Sequence, residues 1–265
     1  MLELTQPVQR TDLRCWIIGH RGAAALCPEN TLPSFRAARD AGAGMIELDV
    51  QQSADGELIV FHDETLERLC GETAALASLT ASELTGKVVG QWHGQSVTMP
   101  SLAQVFAALQ RSVLYNIELK TNRVHYPGIE ERLAKLIARY DLANYVLISS
   151  FNHESLRVMR QCDPHLSLGL LLDSSQAQQC NNPDGIVARA REFSCFSLHP
   201  ELSILRQWPA LGSIGRAAGL RIFPWTVDKQ DDWQFLVEEV GVDGIITNDP
   251  GRLHKWLTSQ SQRDC

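Results

Sequence analysis

Two apolar runs end in a histidine: Trp16-Ile17-Ile18-Gly19-His20-Arg21-Gly22 and Leu58-Ile59-Val60-Phe61-His62-Asp63. Two others carry charged residues spaced two apart, a pair of carboxylates in one and a carboxylate and a cation in the other: Ile46-Glu47-Leu48-Asp49-Val50 and Asn116-Ile117-Glu118-Leu119-Lys120. On a β-strand, residues two apart share a face. Glu47 and Asp49 therefore point one way, with Ile46, Leu48 and Val50 opposite. Glu118 and Lys120 repeat the pattern. Three carboxylates gathered in one small space repel, and burying them uncompensated is costly. A bound cation resolves the conflict, and an all-oxygen ligand set favours a hard divalent ion, Mg2+ or Ca2+, over zinc. Salt bridges to Arg21 and Lys120 are the alternative reading of the same acids.

Histidine titrates near neutrality and exchanges a proton at working pH. A displacement at phosphorus needs one group to deprotonate the nucleophile and another to protonate the leaving oxygen. His20 and His62, on opposite sides of a metal, satisfy that need. Arg21 and Lys120 supply positive charge for the nonbridging oxygens of a phosphate. Three carboxylates bring −3, whereas a divalent ion, Arg21 and Lys120 bring +4, so the site suits an anion.

These residues need a frame that sets charged groups at the carboxyl ends of parallel strands. Strands are expected at 15–18, 45–50, 113–119, 145–149, 166–172, 193–198, 220–225 and 244–246. Helices are expected at 31–41, 101–110, 129–140, 153–162, 183–191, 203–218, 230–240 and 251–258. Asn30 or Thr31 is the N-cap candidate of the first helix. Asp55-Gly56 marks a hairpin turn into a short strand at 57–61. Eight strands, each followed by a helix, favour an α/β fold of the closed (β/α)8 TIM-barrel type over an open doubly wound sheet. No GxGxxG follows the first strand. Residues from about 64 to 98 break the rhythm, with four glycines, a short polar helix near 80–84 and little apolar periodicity. They read as a small subdomain inserted between the second strand and its helix. The barrel domain is expected to span residues 13–258, after a loose lead-in at 1–12.

The chain has 265 residues, enough to bury a substantial core without disulfides or a structural metal. A net charge of −7 without any basic stripe argues against a nucleic-acid partner. No run approaches the ~18 apolar residues of a membrane span. Seven cysteines, at positions 15, 27, 70, 162, 180, 195 and 265, form no CxxC pair and follow no secretion signal. They read as reduced thiols of a cytoplasmic protein. Oligomeric state, monomer or homodimer, leaves no mark in the sequence.

The order His20-Arg21-Gly22, Pro28-Glu29-Asn30-Thr31, Glu47-Leu48-Asp49, His62-Asp63-Glu64-Thr65-Leu66-Glu67-Arg68 and Glu118-Leu119-Lys120 resembles the glycerophosphodiester phosphodiesterase family, in its bacterial cytosolic branch. Later matches include Ser149-Ser150-Phe151, Trp225-Thr226-Val227-Asp228 and Thr247-Asn248-Asp249-Pro250. The resemblance runs from about residue 17 to 250. It implies a TIM barrel with an inserted subdomain. It implies metal ligands at Glu47, Asp49 and Glu118, an acid and a base at His20 and His62, and phosphate contacts at Arg21 and Lys120. The implied reaction, a step of glycerol and lipid metabolism, hydrolyses a small-molecule glycerophosphodiester such as glycerophosphocholine or glycerophosphoethanolamine. Its products are sn-glycerol 3-phosphate and an alcohol. In the family picture the glycerol 2-hydroxyl attacks first and forms a cyclic phosphate that water opens, a route favoured by its tethering beside phosphorus. Gly19 stands where the family often has alanine, which is expected to be harmless. Asn248 stands where it often has aspartate, expected to touch the end of the barrel more than the chemistry.

Trp225 is a candidate for the glycerol pocket, with core packing as the alternative. His199 is a candidate substrate contact, and Phe151 is expected at the mouth. Trp92 and His93, in the insertion, are placed to cover the site as a lid. His125, His153, His165 and His254 are expected to be solvated. Two alternatives share the frame: a phospholipid-directed phosphodiesterase, which needs an apolar rim, and a catalytically silent ligand-binding barrel, which needs a lost catalytic residue. A metal-dependent sugar isomerase is more distant, because no further acidic ligands or base lysine can be placed on later strands.

Overall fold

The computed structural model describes residues 15–261; the expected lead-in at 1–12, the domain start at 13 and Cys265 lie outside the described residues. Eight parallel strands form the barrel: β1 (Trp16–Gly19), β2 (Met45–Gln52), β6 (Leu114–Leu119), β7 (Val146–Ser150), β8 (Ser167–Leu172), β9 (Ser197–Pro200), β10 (Arg221–Ile222) and β11 (Gly244–Thr247). Their order is β10-β9-β8-β7-β6-β2-β1-β11. Backbone hydrogen bonds close the seam between β10 and β11, from Asp243 N to Ile222 O at 3.1 Å and from Ile246 N to Pro224 O at 3.0 Å. The chain is thus a TIM barrel, as expected. Helices α1 (Leu32–Asp40), α4 (Leu102–Leu109), α5 (Ile129–Arg139), α6 (His153–Cys162), α8 (Pro183–Glu192) and α12 (Pro250–Ser261) lie outside it.

The alternation along β2 and β6 divides the molecule into layers. Ile46, Leu48, Val50, Tyr115, Ile117 and Leu119 face outward into one continuous core with Phe35 of α1 and Phe106 of α4. A second, inner cluster, formed by Ile18, Met45, Leu114, Leu147, Phe223 and Ile246, fills the barrel interior. The charged residues of β2 and β6 sit above this apolar floor.

The expected turn at Asp55-Gly56 leads into β3 (Leu58–Val60), antiparallel to β2. The insertion follows. It contains α2 (Glu67–Cys70), α3 (Ala81–Thr85) and an antiparallel hairpin, β4 (Val88–Trp92) and β5 (Gln95–Thr98). Leu66, Leu76, Leu84, Val89 and Met99 give it a small core of its own against Ile59 and Phe61. The sequence showed α3 but hid the hairpin. Its turn is His93-Gly94, both at positive φ, rather than Asn-Gly or Asp-Gly, and of its strand residues only Val89 and Val97 are buried. The single helix expected at 203–218 is two, α9 (Leu202–Gln207) and α10 (Leu211–Ala217). Pro209 separates them, because its ring and missing N–H cannot continue α9. A short α7 (Ser174–Gln179), capped by Asp173, was also not expected. In the last helical segment, α11 (Gln230–Gln234) passes into a π-turn over Phe235–Val240.

Candidate active site

Parallel register sets Asp49 beside Glu118 and Glu47 beside Asn116 on adjacent strands. All three carboxylates point into the barrel mouth. They offer ligand oxygens within 4.8 Å of one another, and all are buried or nearly so. Each has a separate donor. The backbone N–H of Arg21 donates to Glu47 Oε2 at 2.8 Å. Asn30 Nδ2 donates to Asp49 Oδ2 at 2.8 Å, and Asn30 Oδ1 accepts from Asp49 N. Lys120 Nζ donates to Glu118 Oε1 at 2.8 Å and lies 3.5 Å from Asp49 Oδ1. Thr31, not Asn30, caps α1.

Electrostatics divides the three acids. Burial, reinforced by the charges of Asp49 and Glu118, pushes the Glu47 pKa well above the carboxylate range. Glu118 is raised as well, chiefly by burial, which the Lys120 charge only partly offsets. Burial also disfavours the Asp49 charge, but Lys120, Arg21 and His62 outweigh it and hold Asp49 well below the usual range. Lys120 and Arg21 are held charged in return, against their own burial. With all three acids ionised the cluster carries more negative charge than its two cations balance. Its donors are all hard oxygens, and those residues fit a divalent cation such as Mg2+ or Ca2+.

His20 follows β1, anchored by its N–H to Thr247 O at 2.8 Å. The chain then turns sharply, with Arg21 at φ 50° and Gly22 at φ 87°. A Cβ on Gly22 would lie 2.4 Å from Ser34 Oγ, so only glycine fits there. At Gly19 a Cβ would lie 2.5 Å from Gly22 O and 2.9 Å from the Ala38 Cβ. The harmless glycine of the sequence reading is thus required by this turn.

His20 Nδ1 is 2.7 Å from Asn248 Oδ1. The amide orientation of Asn248 is fixed, because its Nδ2 donates to Asp228 Oδ2 at 2.7 Å and a carboxylate can only accept. Nδ1 of His20 therefore carries the proton, and Nε2, 4.0 Å from Glu47 Oε2, has its lone pair free. Burial, and then the charge of Arg21, lowers the His20 pKa to about 4. Asn248 thus belongs to the site; reading it as a feature of the barrel end missed this, because the contact joins residues 228 positions apart. His62 is partnered differently. Its Nδ1 meets a carboxylate, Asp63 Oδ1, at 2.6 Å.

The remaining motif residues are positioning groups. Glu29 accepts from Arg21 Nη1 at 2.8 Å and from both Arg68 terminal nitrogens. Arg68 Nε also donates to Asp63 Oδ2 at 2.6 Å, so α2 ties the two histidine loops together.

An inner cleft of about 110 Å³ is lined by His20, Glu47, His62, Glu118, Lys120 and Trp225, among others. It opens into an outer groove of about 660 Å³ bounded by His62, Glu64, Arg68, Arg123, Phe151 and Trp225. Phe151 and Trp225 meet edge to face at 5.4 Å at this mouth. His199 is not brought to the site. It is wholly buried, its Nε2 pairs with Ser197 Oγ at 2.8 Å, and only its backbone carbonyl serves the mouth, by accepting from Trp225 Nε1. Trp92 does not form a lid either. It lines a separate groove with Leu32, Pro33 and Arg36, stacked edgewise on His93. The insertion reaches the site through Glu64, Thr65, Glu67 and Arg68 instead. His125 and His165 are exposed, whereas His153 and His254 are half-buried in packing.

Residues 20–252 match the Glycerophosphoryl diester phosphodiesterase family. The chain belongs to that family. It is 38% identical over 246 residues to the glycerophosphodiester phosphodiesterase of Caldanaerobacter subterraneus subsp. tengcongensis, covering 91% of this chain and 97% of that one. The glycerophosphodiester phosphodiesterase of Thermotoga maritima has a similar structure, with a TM-score of 0.75, 28% identity, and coverage of 91% and 97%. The Oleispira antarctica phosphodiesterase, solved with the product sn-glycerol-3-phosphate, shares the fold at 24% identity and a TM-score of 0.74, over 92% of this chain and 96% of that one. The chain is accordingly an enzyme with glycerophosphodiester phosphodiesterase activity. Among its described residues no helix is long and apolar enough to cross a membrane.

Proposed function

We propose that the protein hydrolyses glycerophosphodiesters, such as glycerophosphocholine or glycerophosphoethanolamine, to sn-glycerol 3-phosphate and an alcohol, with His20 as base and His62 as acid. The observation that carries this reading is the unequal partnering of two imidazoles that line one cleft with Arg21 and Lys120. His20 has a neutral partner on Nδ1 and a free Nε2 lone pair, which suits proton removal. Asp63 orients the ring of His62 and stabilises its charge when protonated, which suits delivery of a proton to the leaving alkoxide. Arg21 and Lys120 are placed to receive the nonbridging oxygens.

Glu47, Asp49 and Glu118 would hold a divalent cation, Mg2+ or Ca2+. Bound there, such an ion supplies Lewis-acid charge stabilisation at the phosphoryl oxygens. The attacking hydroxyl gives its proton to His20 while His62 protonates the departing alcohol. If the glycerol 2-hydroxyl attacks first, water opens the cyclic phosphate with the two roles reversed. Trp225 and Phe151 would then pack against the apolar edge of the glycerol. We take residues 13–258, with the insertion at 64–98, as one catalytic domain; the family match across 20–252 supports this. The six described cysteines are free thiols, which supports a reducing, cytoplasmic location.

The test is glycerol 3-phosphate release from glycerophosphocholine, measured by a coupled assay on metal-stripped protein with Mg2+ or Ca2+ restored. Activity should return with the ion and fall by at least about 100-fold in His20→Ala and in His62→Ala. Full activity without a divalent ion, or in either variant, would refute the reading.

A further inference from the structure

We propose that Gln51 is a positioning residue for catalysis, holding the His62 segment in place with Tyr126 as its brace; the inference rests on the acid–base reading of His62. Glu47, Asp49 and Gln51 occupy alternate positions on β2 and point to the same face. Glu47 lines the inner cleft, and Asp49 joins it in the carboxylate cluster. The third lies under the chain that carries His62. Its Nε2 donates to Phe61 O and to Asp63 O, both at 2.8 Å. These carbonyls lie on either side of His62. The Gln51 carbonyl oxygen accepts from the Tyr126 hydroxyl at 2.8 Å. Gln51 and Tyr126 are both buried. Both amide hydrogens and the amide oxygen are thus committed, and a buried amide group has no water to turn to if the loop shifts.

Regular pairing cannot do this work. The β2–β3 ladder ends at the Val50–Val60 pair, and one further backbone bond, Phe61 N to Asp49 O at 3.1 Å, is the last before His62. Beyond it the chain leaves the sheet. A side chain that reaches past the end of the ladder is the means of fixing residues 61–63. A carboxylate in its place would have no hydrogens to donate, and an aliphatic side chain would leave both carbonyls bare. Tyr126 comes from the segment between β6 and α5, so the brace also links the loop after Lys120 to the loop bearing His62.

The test compares Gln51→Met, close to glutamine in size but without donors, and Tyr126→Phe, which removes one hydroxyl. Each is made in the wild-type and His62→Ala backgrounds, and kcat, KM and melting temperature are measured with glycerophosphocholine. A small misplacement of a reacting group costs up to ~100-fold. In the wild-type background kcat should fall about 10- to 100-fold for Gln51→Met and at least about threefold for Tyr126→Phe. KM should change less than about threefold, because the anion contacts are intact. In the His62→Ala background neither substitution should lower the residual rate further, because the group they position is gone. A kcat equal to wild type in both variants, or the same loss with and without His62, overturns the proposal. Should Gln51→Met fail to fold, Tyr126→Phe decides by the same criteria. Full activity of His62→Ala would instead refute the role of His62 itself.

Discussion

His199 offers a direct test of how the barrel interior treats charge. It is wholly buried on β9, and only its Nε2 has a partner, Ser197 Oγ; Nδ1 has none. Burial lowers its pKa to about 3. The folded state therefore keeps the ring neutral, while the unfolded chain protonates it at about pH 6.5. With the folded pKa depressed, the native state is at full stability above about pH 6.5 and loses it as pH falls from there toward 3. At pH 5 the unfolded ring is protonated by a factor of about 30 over neutral, which is about 2 kcal/mol of lost stability relative to pH 7. His199→Gln keeps a group able to pair with Ser197 and removes the titration. In urea unfolding at pH 7 and pH 5, the stability lost between the two should be about 2 kcal/mol smaller in His199→Gln than in wild type. An equal loss in both proteins would refute the argument. The KM for glycerophosphocholine should not change, because the His199 side chain lines neither cleft; a rise in KM would show a substrate contact after all.

Three further substitutions test the site. Glu47→Gln removes a carboxylate that burial and two acidic neighbours disfavour. It should raise the melting temperature of the metal-stripped protein by about 2–4 °C, the effect of about 1 kcal/mol in a chain of this size, while abolishing phosphodiesterase activity; a lower melting temperature would contradict the electrostatic picture. Asn248→Ala frees Nδ1 of His20 and should lower kcat at least about tenfold with a normal melting temperature, and unchanged turnover would show that the contact is incidental. Gly19→Ala places a Cβ 2.5 Å from Gly22 O, so chemical denaturation should show a loss of about 1–3 kcal/mol, and wild-type stability would mean that the turn relaxes freely.

The barrel and the charged residues of its rim were legible because strand alternation does two jobs at once. The apolar halves of 46–50 and 115–119 announce the packing against helices, and the polar halves announce the mouth. The motif around Pro28-Glu29-Asn30-Thr31 was visible as a motif but not as a division of labour. Only the fold shows that Glu29 holds Arg21, Asn30 holds Asp49 and Thr31 caps α1. Asn248 was read as a feature of the barrel end, and Gln51 was not singled out, for a related reason. Each acts through one long-range hydrogen bond or one backbone clamp, and the strand pattern that places Gln51 on the same face as Glu47 and Asp49 does not show what it reaches. His199 misled because a histidine near the end of a strand looks alike whether it points into the mouth or into the layer beneath. That depends on β9 starting at Ser197 rather than at 193. The hairpin in the insertion escaped because a two-stranded sheet with a wet edge has no clean alternation.

The carboxylate cluster also explains why the site and the barrel must form together. Like charges this close are stable only while each has its donor, and the donors come from three separate places: the β1 turn for Glu47, the approach to α1 for Asp49, and the end of β6 for Glu118. The β1 turn depends in turn on Ser34, whose hydroxyl donates to Arg21 O at 2.9 Å and accepts from Ala23 N at 2.9 Å. If α1 loosens, the Ser34 hydroxyl that donates to Arg21 O is lost, the Arg21 N–H swings away from Glu47, and Asn30 leaves Asp49. Two of the three acids then lose their donors in one event. Loosening of α1 is therefore opposed by its apolar face and by the electrostatics of the cluster together, and a cation bound by the acids would add to that resistance through mass action on the closed form. Hydrogen exchange at the Ala23 and Ser34 amides should accordingly slow when Mg2+ or Ca2+ is added to metal-stripped protein, whereas the amides of β9, on the far side of the barrel, should not respond. Equal slowing at both places would mean that the ion stabilises the fold as a whole rather than through this linkage.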